Sequence, residues 1–186
     1  MTCSALRPEA AAAVRPSKAA CICSLAPRTM WTVVANFKLT PKWDRVRQRI
    51  LDGTEIKAAD LSAWVAWANG LQSKSPTERL LAINTRVNKE FKYATDQQVW
   101  GQPDHWDDPR EAVEKKRMDC EDFAIFKLFL AHIAGIQDDD LAIGVGKIPS
   151  TGEHHAIMFG ADGRTTYVST TARATCAIPT PTATSR

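Results

Sequence analysis

No apolar run in this chain approaches the roughly 18 residues that a membrane-crossing helix needs, so insertion into a bilayer is not expected. The five cysteines (Cys3, Cys21, Cys23, Cys120 and Cys176) show no zinc-type spacing and have no matching histidines, which sets a structural zinc site aside. Four of them lie near the ends, so Cys120 stands without an obvious disulfide partner. A secretory leader is not legible either. Ala10 to Val14 is too short for its apolar segment, and Arg15 and Lys18 interrupt it. Acidic residues are almost missing from both ends. Residues 1–42 carry six Lys/Arg against Glu9 alone, and residues 164–186 carry three Arg and no acid. The middle, residues 43–163, therefore holds 15 Lys/Arg against 20 Asp/Glu, although the whole chain is at +3. An acidic middle argues against nucleic acid as a partner and suits a cation.

What is present is an ordinary soluble composition, 44% hydrophobic and 24% charged over 186 residues, enough for one domain with a real core. Residues 1–42 are rich in Ala, Pro and Arg without periodicity and read as a disordered or mis-assigned flank. From Trp43 the pattern becomes helical: Trp43, Val46, Ile50 and Leu51 share one face. Asp60 is placed to cap a second helix bearing Leu61, Trp64, Val65, Ala68 and Leu71. Ser75-Pro76-Thr77-Glu78 opens a third. Residues 91–109 read as an aromatic loop, and Pro109 opens a short helix to Lys116. Met118 to Gly135 reads as a buried helix with acids at its start. Strands follow at Leu141–Ile148, His154–Phe159 and Thr165–Val168, the last two joined by a turn at Asp162-Gly163. Helices first and an antiparallel sheet afterwards make an α+β domain over residues 43–168, with residues 169–186 as an aberrant, disordered tail.

Cys120 falls in the first turn of the buried helix, where free backbone N–H groups favour the thiolate. Asp119, Glu121 and Asp122 oppose this, because neighbouring negative charge raises a thiol's pKa. A nearby imidazolium, or a cation neutralising the acids, would resolve the conflict. His155 lies about 35 residues later on a strand and can supply the imidazole. His154 points to the other face of that strand. His105 and His132 read as structural or solvated. The bland alternatives are a buried hydrophobic Cys120 and acids that merely cap the helix. An orienting acid for His155 is harder to find. A two-residue loop at Asp162-Gly163 sets Thr170 opposite His155, and the chain beyond Asp162 contains no Asp, Glu or Asn.

The blocks Tyr93-x-x-Asp96, Val99-Trp100-Gly101, Trp106, Pro109-x-Glu111-Ala112, Asp119-Cys120-Glu121-Asp122-Phe123-Ala124-Ile125-x-Lys127 and His155-Ala156 resemble the bacterial transglutaminase-like cysteine proteinases. The resemblance implies a papain/transglutaminase-like fold and a Cys-His-Asp triad. It gives Cys120 as nucleophile, His155 as general base, and Ca²⁺ on Asp119 and Glu121. It further implies a periplasmic protease acting on a large cell-surface adhesin and restrained by a membrane-bound cyclic-di-GMP receptor. Relatives continue the last strand as Val-Leu-Asp-Asn, whose Asp completes the triad. Here Val168 is followed by Ser169-Thr170-Thr171. A single lost base would convert Leu-Asp-Asn into Ser-Thr-Thr, and the copy as written is expected to be crippled. A transglutaminase-type acyl transferase and a non-catalytic calcium-dependent binding module are the alternatives on the same fold.

Overall fold

Hydrogen bonds that close helix ends account for much of the helical layer in the computed structural model, which describes residues 41–51, 59–147, 152–162, 165–171 and 176–179. Helix α1 spans Pro41–Leu51, α2 Ala59–Gly70 and α3 Pro76–Glu90. Ser75 caps α3 as expected: Glu78 N–H donates to Ser75 Oγ at 3.4 Å, and Ser75 N–H donates to Glu78 Oε2 at 2.9 Å. α2 starts at Ala59, so Asp60 lies inside the helix rather than at its cap. The proposed flank 1–42 lies outside the described residues except for Pro41 and Lys42, which already belong to α1.

The stretch 91–109, expected to be loop, contains two short elements, a strand and a helix. Strand β1 (Lys92–Tyr93) pairs in parallel with β2 (Arg117–Met118), and α4 covers Asp96–Val99. Two-residue strands leave no periodicity to read, so a local pattern could not reveal them. Helix α5 (Pro109–Lys115) is capped by Asp108, which accepts from Arg110 N–H at 3.0 Å and Glu111 N–H at 2.9 Å. Lys116 ends it at φ 53°, a left-handed turn that delivers the chain into β2.

Helix α6 (Cys120–Ile133) is the centre of the molecule. Phe126, Leu130 and Ala131 are fully buried, and Ile125 and Phe129 nearly so. Each large apolar side chain so buried contributes on the order of 1.5–3 kcal/mol. The ring of Trp64 from α2 packs edge-on to Phe126 at 5.3 Å, which makes it a core residue as its spacing suggested. Helices α2 and α3 cover one side of α6 and the sheet covers another.

That sheet has the order β3-β4-β5-β6, all antiparallel: β3 Leu141–Lys147, β4 His154–Ala161, β5 Thr165–Ser169 and β6 Cys176–Pro179. Gly160 lets α3 approach β4, since a Cβ there would come within 2.7 Å of Leu80 Cδ2. Two expectations need correction. Residues 176–179, assigned to a disordered tail, form a fourth strand on β5, and Ser169 is buried at the end of β5. Backbone pairing needs no apolar periodicity, so a polar tail can still extend a sheet.

The second correction concerns register. Ala161 pairs with Thr166, not Arg164, and the ladder ends at Met158 opposite Ser169. Asp162 follows the last paired residue, and its Oδ2 accepts from Thr77 Oγ1 on α3 at 3.0 Å and from Tyr167 OH at 3.3 Å. Thr170 is therefore not opposite His155. The same register continued would set residue 172 there, and residue 172 lies outside the described residues.

Candidate active site

Cys120 is the first residue of α6, and both neighbours of that helix start are anchored. Met118 is buried and held in β2, while Asp122 Oδ2 accepts from Asp119 N–H at 3.3 Å and its Oδ1 accepts from Asp107 N–H at 2.8 Å. Asp122 thus closes the start of the helix on the backbone of Asp119. The Cys120 side chain is half-buried and its thiol donates to Glu121 Oε2 at 3.1 Å. Burial pushes the thiol well above its ordinary range, Glu121 adds to this, and the backbone N–H of Ala156 works against it. Burial and the neighbouring acids thus disfavour the thiolate. In this arrangement Cys120 is a thiol.

The Ala156 backbone contact brings β4 against the start of α6, and His155 is the residue just before it. His155 is half-buried while His154 is exposed, the alternation expected of a strand with one face inward. Burial lowers the His155 pKa, with Glu121 and Glu153 acting in the opposite sense. His132 is an exposed partner of Asp138 at 2.6 Å, remote from this chemistry. The carbonyl of Thr170 accepts from Lys127 Nζ at 2.5 Å and from Asn88 Nδ2 at 3.1 Å. Asn84 Oδ1 accepts from Lys127 Nζ at 2.8 Å and Ser169 Oγ at 2.7 Å. The fully buried Lys127 thereby ties the end of β5 to α3 and α6.

The residues singled out as cation ligands, Asp119 and Glu121, do not stand alone. Oxygens of Asp96, Asp119 and Asp122 lie within 4.8 Å of one another, and so do oxygens of Asp96, Asp104 and Glu121. Asp96 is 3% exposed and Asp122 2%. Burial first, then like charge, pushes Asp119 up to about 10 and Asp122 well above the carboxylate range. Asp119 Oδ1 is buried with no hydrogen-bond partner. Crowded buried carboxylates with an orphaned oxygen fit a hard cation, which satisfies oxygen ligands and relieves their repulsion. Asp96, Asp104 and Asp122 were not identified as ligands from sequence. The Tyr93-x-x-Asp96 block was the available signal for Asp96, but only folding brings that residue to α6.

The arrangement has known counterparts. A family model described as bacterial transglutaminase-like cysteine proteinase matches residues 66–168. Among curated proteins none matches significantly. Among solved structures, Legionella pneumophila LapG aligns with a TM-score of 0.55 at 22% identity, covering 72% of this chain and 75% of LapG. Its calcium-bound form aligns at 0.56 and 20% identity over 76% and 78% of the two chains. At these identities the likeness establishes the fold, while the family model reaches the sequence around Cys120 itself. The chain belongs to the bacterial transglutaminase-like cysteine proteinases.

Proposed function

We propose that this chain is a calcium-dependent cysteine endopeptidase whose nucleophile is Cys120 and whose general base is His155. The observation that carries the reading is a cysteine opening a buried helix, backed by β4 and flanked by the orphaned carboxylate of Asp119. Asp119 and Glu121 would hold Ca²⁺, with Asp96 and Asp122 beside them. When bound, the ion supplies positive charge that offsets the carboxylates now disfavouring the thiolate.

The chain's own groups then perform acyl transfer. His155 accepts the proton of Cys120, and Sγ bonds to the scissile carbonyl carbon. The C–N bond breaks as the departing amine takes that proton, leaving a thioester that water hydrolyses. The N–H of Cys120, at the helix start, is a donor for the developing oxyanion.

His155 has no matching orienting acid in Ser169-Thr170-Thr171. Loss of that group costs on the order of 10³–10⁴ in rate in comparable triads. A one-base deletion in the coding sequence accounts for the missing Leu-Asp-Asn, and codons incompatible with that shift would refute it. The same gap favours a second reading, a calcium-dependent binding module that retains the fold without cleavage.

Family resemblance supports a large cell-surface adhesin as substrate, a periplasmic location and a membrane-bound cyclic-di-GMP receptor as regulator. Among the described residues no helix is long and apolar enough to cross a membrane. The test is cleavage of an adhesin fragment in calcium, by this chain and by a version with residues 169–171 changed to Leu-Asp-Asn. Cleavage by the altered version, stopped by chelator or by Cys120→Ala, supports a protease weakened at its orienting residue. Two folded proteins that bind the fragment without cutting it favour the binding module.

A further inference from the structure

Beside the carboxylates around Asp119 lies a second group of donors that the reaction does not use. The backbone of residues 105–107 is tied to the first group, with His105 N–H on Asp96 and Asp107 N–H on Asp122. The side chains of the same segment meet Glu111 of α5 instead. His105 Nε2 lies 3.6 Å from Asp107 Oδ1 and 3.5 Å from Glu111 Oε2. Asp107 is 1% exposed, and neither of its oxygens has a hydrogen-bond partner. The Trp100 indole N–H is close enough to favour the ionised carboxylate but does not reach bonding geometry. His105 Nε2 is likewise buried and unpartnered.

These separations discriminate between two chemistries. A charge-assisted hydrogen bond from imidazolium to carboxylate would close to about 2.7–2.9 Å. Two ligands on one tetrahedral ion, each about 2.1 Å from the metal, stand about 3.4 Å apart. The two His105 separations lie near that of co-ligands and beyond that of a charge-assisted hydrogen bond, and the three ligand atoms all lie within 4.8 Å of one another. We propose that His105, Asp107 and Glu111 form a second cation site, selective for a borderline divalent ion of the zinc class and distinct from the calcium-type carboxylate group. One imidazole nitrogen with two carboxylates is a donor set for such an ion, whereas oxygen alone suits calcium. The ring of Trp100, centred 4.4 Å from that of His105, fixes the imidazole plane. The nearby guanidiniums of Arg45 and Arg49 engage Glu111 and Asp108. Asp107, Asp108 and Glu111 still leave one negative charge uncompensated by these two, so a divalent ion is electrostatically admissible.

The site does not depend on Cys120 or on peptidase activity. Its test is calorimetric titration of zinc chloride into the full chain in saturating calcium, with all five cysteines changed to serine so that no thiol competes. The expected result is one zinc per chain, with affinity falling on the order of 100-fold in Asp107→Asn and in His105→Ala. Calcium-induced thermal stabilisation should persist in both variants. In the absence of zinc, Asp107→Asn should unfold at or above the parent's temperature at alkaline pH, because it removes an unpaired buried charge. Three results would overturn the proposal: no zinc uptake by a chain shown folded by circular dichroism, equal uptake by both variants, or one-for-one displacement of zinc by calcium.

Discussion

The start and the middle of α6 treat buried charge in opposite ways. At its start, Asp119, Glu121 and Asp122 crowd together with Asp96, and one oxygen is left without a partner. Two turns later Lys127 is fully buried, and its ammonium donates to neutral oxygens of Asn84 and Thr170. The first region has excess negative charge and remains ionisable only if a cation arrives. The second has a lone cation that burial alone lowers to about 7. The contrast teaches that neither burial nor charge defines a ligand site by itself. Orphaned acceptors mark the place where an ion is wanted, whereas a closed set of hydrogen bonds marks a strut.

The largest effect expected is at the nucleophile. In the version carrying Leu-Asp-Asn at 169–171, Cys120→Ala should remove peptide cleavage by at least about 10⁴-fold while leaving the fold intact, read by product analysis beside circular dichroism. Next comes the acidic end. Asp119 is an acid whose folded pKa is raised from 3.8 to about 10, so the native state holds the extra proton across that range. Stability without calcium should therefore fall as pH rises through the window, and calcium should restore most at the alkaline end. Asp119→Asn with Glu121→Gln should flatten the slope and abolish the calcium response in thermal unfolding.

Lys127 should behave in the reverse sense. It is a base whose folded pKa falls from 10.5 to about 7, so the unfolded chain holds the extra proton between those values. Stability attributable to it rises with pH from about 7 towards 10, and urea titrations of Lys127→Met should lose that rise. A slope unchanged by Lys127→Met would remove the contrast between the two regions. The smallest effect provides the control: Ser75→Ala should cost about 1 kcal/mol with no pH dependence above the carboxylate range, since it removes only an exposed helix cap.

Much of this was legible in sequence where the signal is local. The helices at Trp43, Ser75, Pro109 and Cys120 announce themselves through periodicity and caps, and the strands at Leu141, His154 and Thr165 through composition and turns. What failed depended on long-range contacts. The hairpin register differs by two residues from the one expected, and Asp162 bonds Thr77, 85 positions away, a contact that no local pattern announces. β1 and β2 could not be read because two residues carry no period. Asp96 and Asp104 entered the cation group only through the return of α4 to α6. His105, dismissed as a loop histidine, acquires its partners from α5, and nothing in its neighbours in sequence indicates that Asp107 would be buried and unpaired.

The most direct test of calcium-gated nucleophilicity is the rate of Cys120 alkylation by iodoacetamide near neutral pH, with and without calcium. The Cys120 peptide is followed by mass spectrometry, so that the other cysteines do not interfere. Calcium should accelerate alkylation of Cys120 by on the order of 10-fold or more, as expected when its pKa falls by about one unit or more. The gain should vanish in Asp119→Asn with Glu121→Gln. An alkylation rate indifferent to calcium in the folded parent chain would contradict the account.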